Sequence, residues 1–149
     1  MKWLTTLMLF CLATTVTTSV SAQESTKPYE EFGDYKVYFS VFNSTFILPE
    51  VARANNLTRA KDRVLINISV VKDNTFGLPA KISGHASNLM QQKKHLEFTE
   101  IAEQNTTYYL ASMFHLHEEV INFTIEVTPE GESKSHTVKF TKKLHQSGS

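Results

Sequence analysis

Cysteine, tryptophan and glycine are scarce in this sequence, and neither sign of charge is in excess. Of 149 residues one is Cys (Cys11), one is Trp (Trp3) and five are Gly. Cys11 and Trp3 both fall within the first 22 residues, which read as a secretory signal: Met1-Lys2 carries the positive charge, Trp3 to Val16 is mostly apolar, and Val20-Ser21-Ala22 gives small residues at an exit after Ala22. The apolar core is shorter than the roughly 20 residues a membrane span needs. Cys11 follows the bulky Phe10 and lies well before the exit, which excludes it as a lipid-bearing N-terminal cysteine. The mature chain, residues 23–149, is therefore expected to hold no thiol and no disulfide. Export without disulfides suits a bacterial periplasmic protein better than a eukaryotic extracellular module. Stability must then come from an ordinary apolar core, and the mature chain is long enough to build one as a single domain.

The remaining scarcities exclude function classes. Fifteen Lys and Arg balance fifteen Asp and Glu, whereas a nucleic-acid binder carries a strong basic excess. Beyond the signal no apolar stretch is long enough to span a membrane, so the mature chain is expected to have no membrane span. With so little glycine there is no phosphate-cradling loop and no nucleophile elbow, and neither a cysteine nucleophile nor a metalloprotease-type helix is present. Glu118 and Glu119 are adjacent, so on a strand they face opposite sides and cannot converge on one bond. The reading is a protein without enzymatic activity or cofactor.

Period-two alternation dominates what is there. Tyr35, Val37, Phe39 and Val41 form one apolar face, with Tyr38 and Phe42 opposite. Val64, Ile66, Ile68 and Val70 form the next, followed by Ala80, Ile82, Gly84 and Ala86, then by Leu96 and Phe98. Tyr108 and Leu110 alternate with Tyr109, Ala111 and Met113. Ile121, Phe123, Ile125 and Val127 give the clearest strand, and Val138 with Phe140 the last. Lys72-Asp73-Asn74, Gly77-Leu78-Pro79, Glu103-Gln104-Asn105 and Pro129-Glu130-Gly131 supply turn chemistry between them. Helical spacing appears once, at residues 49–54, where Pro49 and Glu50 open a short helix. About seven strands without a long helix predict an all-β, immunoglobulin-like antiparallel β-sandwich over residues 32–144. Residues 23–31 are expected to be a flexible lead-in and 145–149 a frayed tail. A small open barrel is the alternative architecture.

Four sets of residues stand out. Five Asn-x-Ser/Thr triplets start at Asn43, Asn56, Asn67, Asn105 and Asn122, more than chance placement of eight mature Asn supplies. Alternation of small polar residues with Ile and Phe on half-buried strands generates such triplets without sugar. Phe42-Asn43-Ser44-Thr45-Phe46 reads as a strand end turning into the helix, with both Phe pinning the corner to the core. Its functional reading is a polar pocket in which Asn43 and Thr45 meet a ligand. Arg53, Arg59, Lys61 and Arg63 form a basic set that can hold an anion or an acidic partner, or simply pair with Glu50 and Asp62 at the surface. Lastly, Met113, His115 and His117 would share one face if that stretch is extended. Their thioether and imidazoles suit copper, or zinc with a carboxylate.

The segments "FGDYKVYFSVFNSTFILPEVARANNLTRAKDRVLINISV", "SGHASNL", "LEFTEIAEQNTTYYLASM" and "EEVINFTIEVTPEG" resemble a family of small exported proteobacterial proteins defined only as a domain of unknown function. The resemblance covers about residues 32–142. It implies an exported periplasmic β-sandwich and carries no established activity or site residues. Where that family is expected to hold plain polar residues, this chain has His115-Leu116-His117, so metal chemistry there is private to this sequence. The expected role is a periplasmic binding or accessory module that contacts an envelope protein or peptide, through a sheet edge or the loop region Asn43–Arg63. Copper or zinc handling through Met113, His115 and His117 is the alternative.

Overall fold

Alternating apolar residues set the architecture. The computed structural model describes residues 27–73, 75 and 77–148, so the signal segment and its cleavage point lie outside the described residues. The strands are β1 (Tyr29–Phe32), β2 (Tyr35–Asn43), β3 (Arg63–Lys72), β4 (Ala80–Asn88), β5 (Lys93–Leu96), β6 (Phe98–Glu103), β7 (Thr106–Phe114), β8 (Glu119–Pro129) and β9 (His136–Leu144). A single 3-10 turn (Ser44–Phe46) and the helix α1 (Pro49–Ala54) lie between β2 and β3. Every strand pair is antiparallel, in one sheet ordered β1-β2-β3-β7-β6 and a second ordered β5-β4-β8-β9. Apart from β1 and β5, this is the four-on-three strand order of an immunoglobulin constant-type sandwich. The sandwich expectation holds and the barrel is excluded.

Two details differ from the sequence reading, which counted about seven strands. First, Tyr29–Phe32, within and just past the expected lead-in, forms β1. It pairs Tyr29 with Tyr38 and Phe32 with Tyr35, and Gly33, at φ 60°, supplies the positive dihedral of a two-residue hairpin turn. Second, the run from Lys93 to Glu103 splits at Glu97 into strands of opposite sheets. Leu96 enters the core from one sheet and Phe98 packs on it from the other, so both bury apolar surface only if the chain crosses over between them.

The inward faces follow the predicted alternation. Val37, Ile66, Ile68, Val70, Ile125, Val127 and Val138 are completely buried between the sheets. Phe39 of one sheet stacks on Phe140 of the other at 4.4 Å between ring centroids, and Phe140 stacks on Phe123 at 4.8 Å. Offset-stacked pairs of this kind add stabilisation beyond their buried area. Phe123→Ala is expected to cost about 3–5 kcal/mol, read as a lower urea midpoint with unchanged m-value.

A polar lock joins the sheets at the other end. The Ala80 N–H of β4 donates to the Tyr109 hydroxyl of β7 at 2.6 Å, and that hydroxyl donates to Glu100 Oε2 of β6 at 3.1 Å. Burial pushes the Tyr109 phenol above its usual value; the Ala80 N–H opposes this and the Glu100 carboxylate adds to it. A raised phenol pKa means that folding favours the neutral hydroxyl. Its stabilisation is complete below the ordinary tyrosine value of about 10 and is lost as pH rises through the folded value. Tyr109→Phe is expected to lower stability at neutral pH by about 1–3 kcal/mol and to flatten the alkaline fall in stability, measured by urea unfolding at neutral and alkaline pH.

Candidate functional site

The residues singled out in the sequence gather at one pole of the sandwich, where β2, β4, β7 and β9 end and β3, β5 and β8 begin. Four segments meet there: 44–62, 89–92, 115–118 and the tail 145–148. The corner after β2 is structural at its centre. Ser44 is completely buried; its hydroxyl accepts the Ala60 N–H at 2.9 Å and donates to the Ala60 carbonyl at 3.1 Å. Asn43 ends β2, half-buried and paired with Val64. Phe42 is half-buried as expected, but Phe46 is 74 % exposed and does not pin the corner. The tight 3-10 turn gives the inward position to Ser44 and turns Phe46 outward. Thr45 is also committed, with its hydroxyl 2.7 Å from Ser147 Oγ and its carbonyl accepting from Arg59 Nη2 at 2.9 Å.

The tail is therefore held rather than frayed. The Ser147 N–H donates to the Lys61 carbonyl at 3.0 Å, and the Gln146 N–H to His117 Nδ1 at 3.4 Å. The basic set divides. Arg53, Arg59 and Lys61 are exposed, while Arg63 is half-buried, with Nη1 donating to Ser112 Oγ at 3.2 Å and Nε enclosed with no hydrogen-bond partner among the described residues. The expected ion pairs with Glu50 and Asp62 do not form among the described residues; the ion pairs found there join Glu31 to Lys36 and Glu118 to Lys143.

The metal candidates divide between interior and surface. Strand β7 ends at Phe114, so the shared-face argument reaches only partway along the motif. Met113 is buried in the core and His115 is completely buried; the His115 N–H still bonds the Asp62 carbonyl at 2.9 Å. His115 Nδ1 lies 2.8 Å from the Leu116 carbonyl, which makes it the donor, and Nε2 is buried with no hydrogen-bond partner among the described residues. His117, past the strand end, is exposed and meets His145 edge-on at 5.8 Å between ring centroids. Beside them, Glu118 Oε1 accepts from Lys143 Nζ at 2.8 Å. That hydrogen bond and the lysine's charge hold the Glu118 carboxyl below its usual range, with His117 and His145 adding to the effect. Among the described residues no three His, Cys, Asp or Glu side chains are grouped to hold one ion.

The sequence reading missed an apolar surface at the same pole. Leu89 is 70 % exposed, Met90 74 %, Leu116 59 % and Phe114 43 %, and all four line a groove of about 400 Å³. The turn presenting the first two is rigidly built. Asn88 Oδ1 accepts the Met90 and Gln92 N–H groups, each at 3.0 Å, and Asn88 Nδ2 donates to Gln92 Oε1 at 2.7 Å. Lys94 Nζ lies over the Phe114 ring and donates to its carbonyl at 3.1 Å. The available signal was "NLMQQ", two large apolar residues inside a turn sequence.

Fold and pole together define an all-β sandwich of immunoglobulin-like topology that presents loops, exposed apolar side chains and exposed cations at one end. The chain belongs to the DUF4426 family, a domain of unknown function whose model matches residues 29–147. It is similar to a DUF4426 protein of Pseudomonas aeruginosa, with 33% identity, a TM-score of 0.73, and coverage of 79% of this chain and 94% of that one. It shares its fold with FetP of a uropathogenic Escherichia coli strain, at 15% identity and a TM-score of 0.57 over 79% of this chain and 93% of that one. A copper-bound variant of FetP superposes at a TM-score of 0.58 with 14% identity, over 79% of this chain and 94% of that one. None of the curated proteins matches the chain. Among the described residues no helix is long and apolar enough to cross a membrane.

Because one hydroxyl satisfies both backbone groups of Ala60, Ser44→Ala is expected to cost about 1–3 kcal/mol. Hydrogen exchange is expected to speed up in residues 58–62 and in the tail, with little change in the middle of β8.

Proposed function

We propose that the protein is an exported, non-enzymatic binding or accessory module of the periplasm that docks an envelope protein or peptide through this pole. The observation that carries the reading is the placement of exposed apolar side chains. Of the eight large hydrophobic residues exposed among those described, seven lie at the pole: Phe46, Leu48, Val51, Leu89, Met90, Phe114 and Leu116. Concentrated apolar exposure rimmed by polar groups is characteristic of docking surfaces. Arg53, Arg59 and Lys61 add cations that no carboxylate among the described residues neutralises, which favours a partner with acidic groups around an apolar anchor.

Strand addition is the less favoured mode. β1 and β5 are edges of four residues each, β6 carries Glu100 and Glu103, and β9 carries Lys139, Lys142 and Lys143. Short strands and charge are the usual protection against edge pairing. The signal-like residues 1–22 and the thiol-free remainder support export to the periplasm.

A second reading, copper or zinc handling, rests on the imidazoles of the pole. His115 has the ligand's usual arrangement, with Nδ1 donating to a carbonyl and Nε2 without a hydrogen-bond partner among the described residues, and the copper-bound FetP variant shares the fold.

For the docking reading, crosslinking in the native periplasm is expected to capture a specific partner. Leu89→Asp with Met90→Asp should reduce capture at least about tenfold, as expected for a buried anchor, without altering the urea midpoint. Arg53→Glu with Arg59→Glu should weaken it less and remove its salt dependence. Undiminished capture by the Leu89/Met90 variant would overturn the pole as the docking surface.

A further inference from the structure

We propose that His117 and His145 form a two-imidazole surface site for a divalent first-row transition ion, and that filling it breaks the contact between His117 and the Gln146 N–H in the C-terminal tail. This deepens the metal-handling reading, on which it rests, and moves the ligands from the interior to the surface. Each histidine sits one or two residues beyond the last pair of the β8–β9 ladder, Glu119 with Leu144. The best-paired hairpin of the second sheet thus holds them in register. The rings meet edge-on at 75° with centroids 5.8 Å apart. Metal–nitrogen bonds of about 2.0–2.1 Å place two imidazoles on adjacent positions of one ion at centroid separations of roughly 4.5–5 Å. A small side-chain adjustment of two exposed residues closes that difference.

The charges around the pair are mixed. Glu118 lies next to it and offsets a bound cation; Lys143, which holds Glu118, opposes one. Two protein ligands leave the ion's other positions to water or to a donor from outside the chain. Imidazole is a borderline donor, and the order of divalent affinities puts copper(II) first, ahead of zinc(II).

Coupling to the tail follows from the ring's two nitrogens. His117 Nδ1 accepts the Gln146 N–H, so in this state the ring proton is on Nε2. An ion bound at Nδ1 displaces Gln146 directly. An ion bound at Nε2 leaves the proton on Nδ1, facing the Gln146 N–H donor-to-donor. Either mode costs that contact, the first tail anchor before Ser147 reaches Lys61 and Thr45.

The test uses protein purified without a histidine tag. Titration with copper(II) sulfate, followed calorimetrically, is expected to show one equivalent, with His117→Ala and His145→Ala each weakening it at least about tenfold. Zinc(II), which is diamagnetic, should shift the Gln146 and Ser147 amide resonances and speed their hydrogen exchange in the parent protein but not in His145→Ala. Copper affinity that survives both substitutions but is lost in His95→Ala or His115→Gln would overturn this site and leave metal handling standing. The absence of any copper or zinc binding would overturn both. Binding that depends on His117 and His145 without a change at Gln146 and Ser147 would overturn the coupling.

Discussion

Contact between two apolar sheet faces, with no covalent staple among the described residues, is the constraint on which everything else rests. The Phe39–Phe140–Phe123 stack runs from one sheet to the other through the middle of that contact, and fully buried Val and Ile residues extend it along the strands. Antibody domains place a disulfide and a Trp in the equivalent region. Here, buried area and aromatic stacking do the same work. Because the sheets are joined by packing along their whole length, the loops at either end carry little of the burden of holding them together. That frees the pole to expose seven large apolar side chains without endangering the fold.

The sheet interior was legible in the sequence because it follows a strict rule. In β3, β8 and the inward face of β2, every second residue is apolar and turns to the core, although Phe39 and Val41 are only partly buried and Leu65, on the other face of β3, is completely buried too. β1 was not legible, since Tyr29-Glu30-Glu31-Phe32 has too little alternation to stand out; its strand character comes from pairing with β2. The crossover at Glu97 was hidden for a related reason. Leu96 and Phe98 are spaced as one strand face, and only the presence of two sheets shows that they belong to opposite ones.

The candidate site was legible in its location and not in its detail. Asn43, Thr45, the basic set and the Met-His motif do converge on one pole, because each lies at a strand end or in the segment that joins two strands there. Which side chains turn inward depends on where a strand stops. β7 stops at Phe114, so Met113 and His115 stay inside while His117 swings out to His145, 28 residues further along the sequence. Phe46, expected to pin the corner, turns outward because the 3-10 turn gives the inward position to Ser44. Leu89 and Met90 announce apolarity in the sequence; their exposure is decided by the hydrogen bonds Asn88 makes around the turn.

Anchoring of the tail by Thr45, Lys61 and His117 also fixes the direction in which the polypeptide departs. Whatever is joined after residue 148 leaves the domain at the pole, beside the exposed Phe46 and within reach of His145. An affinity handle appended there would crowd the docking surface, and one made of histidines would bring competing imidazoles to the pair. A handle ahead of β1 gains no distance by its strand direction, because β1 runs antiparallel to β2 and the Pro28 carbonyl accepts the Phe39 N–H, so the chain enters from the side of the same pole.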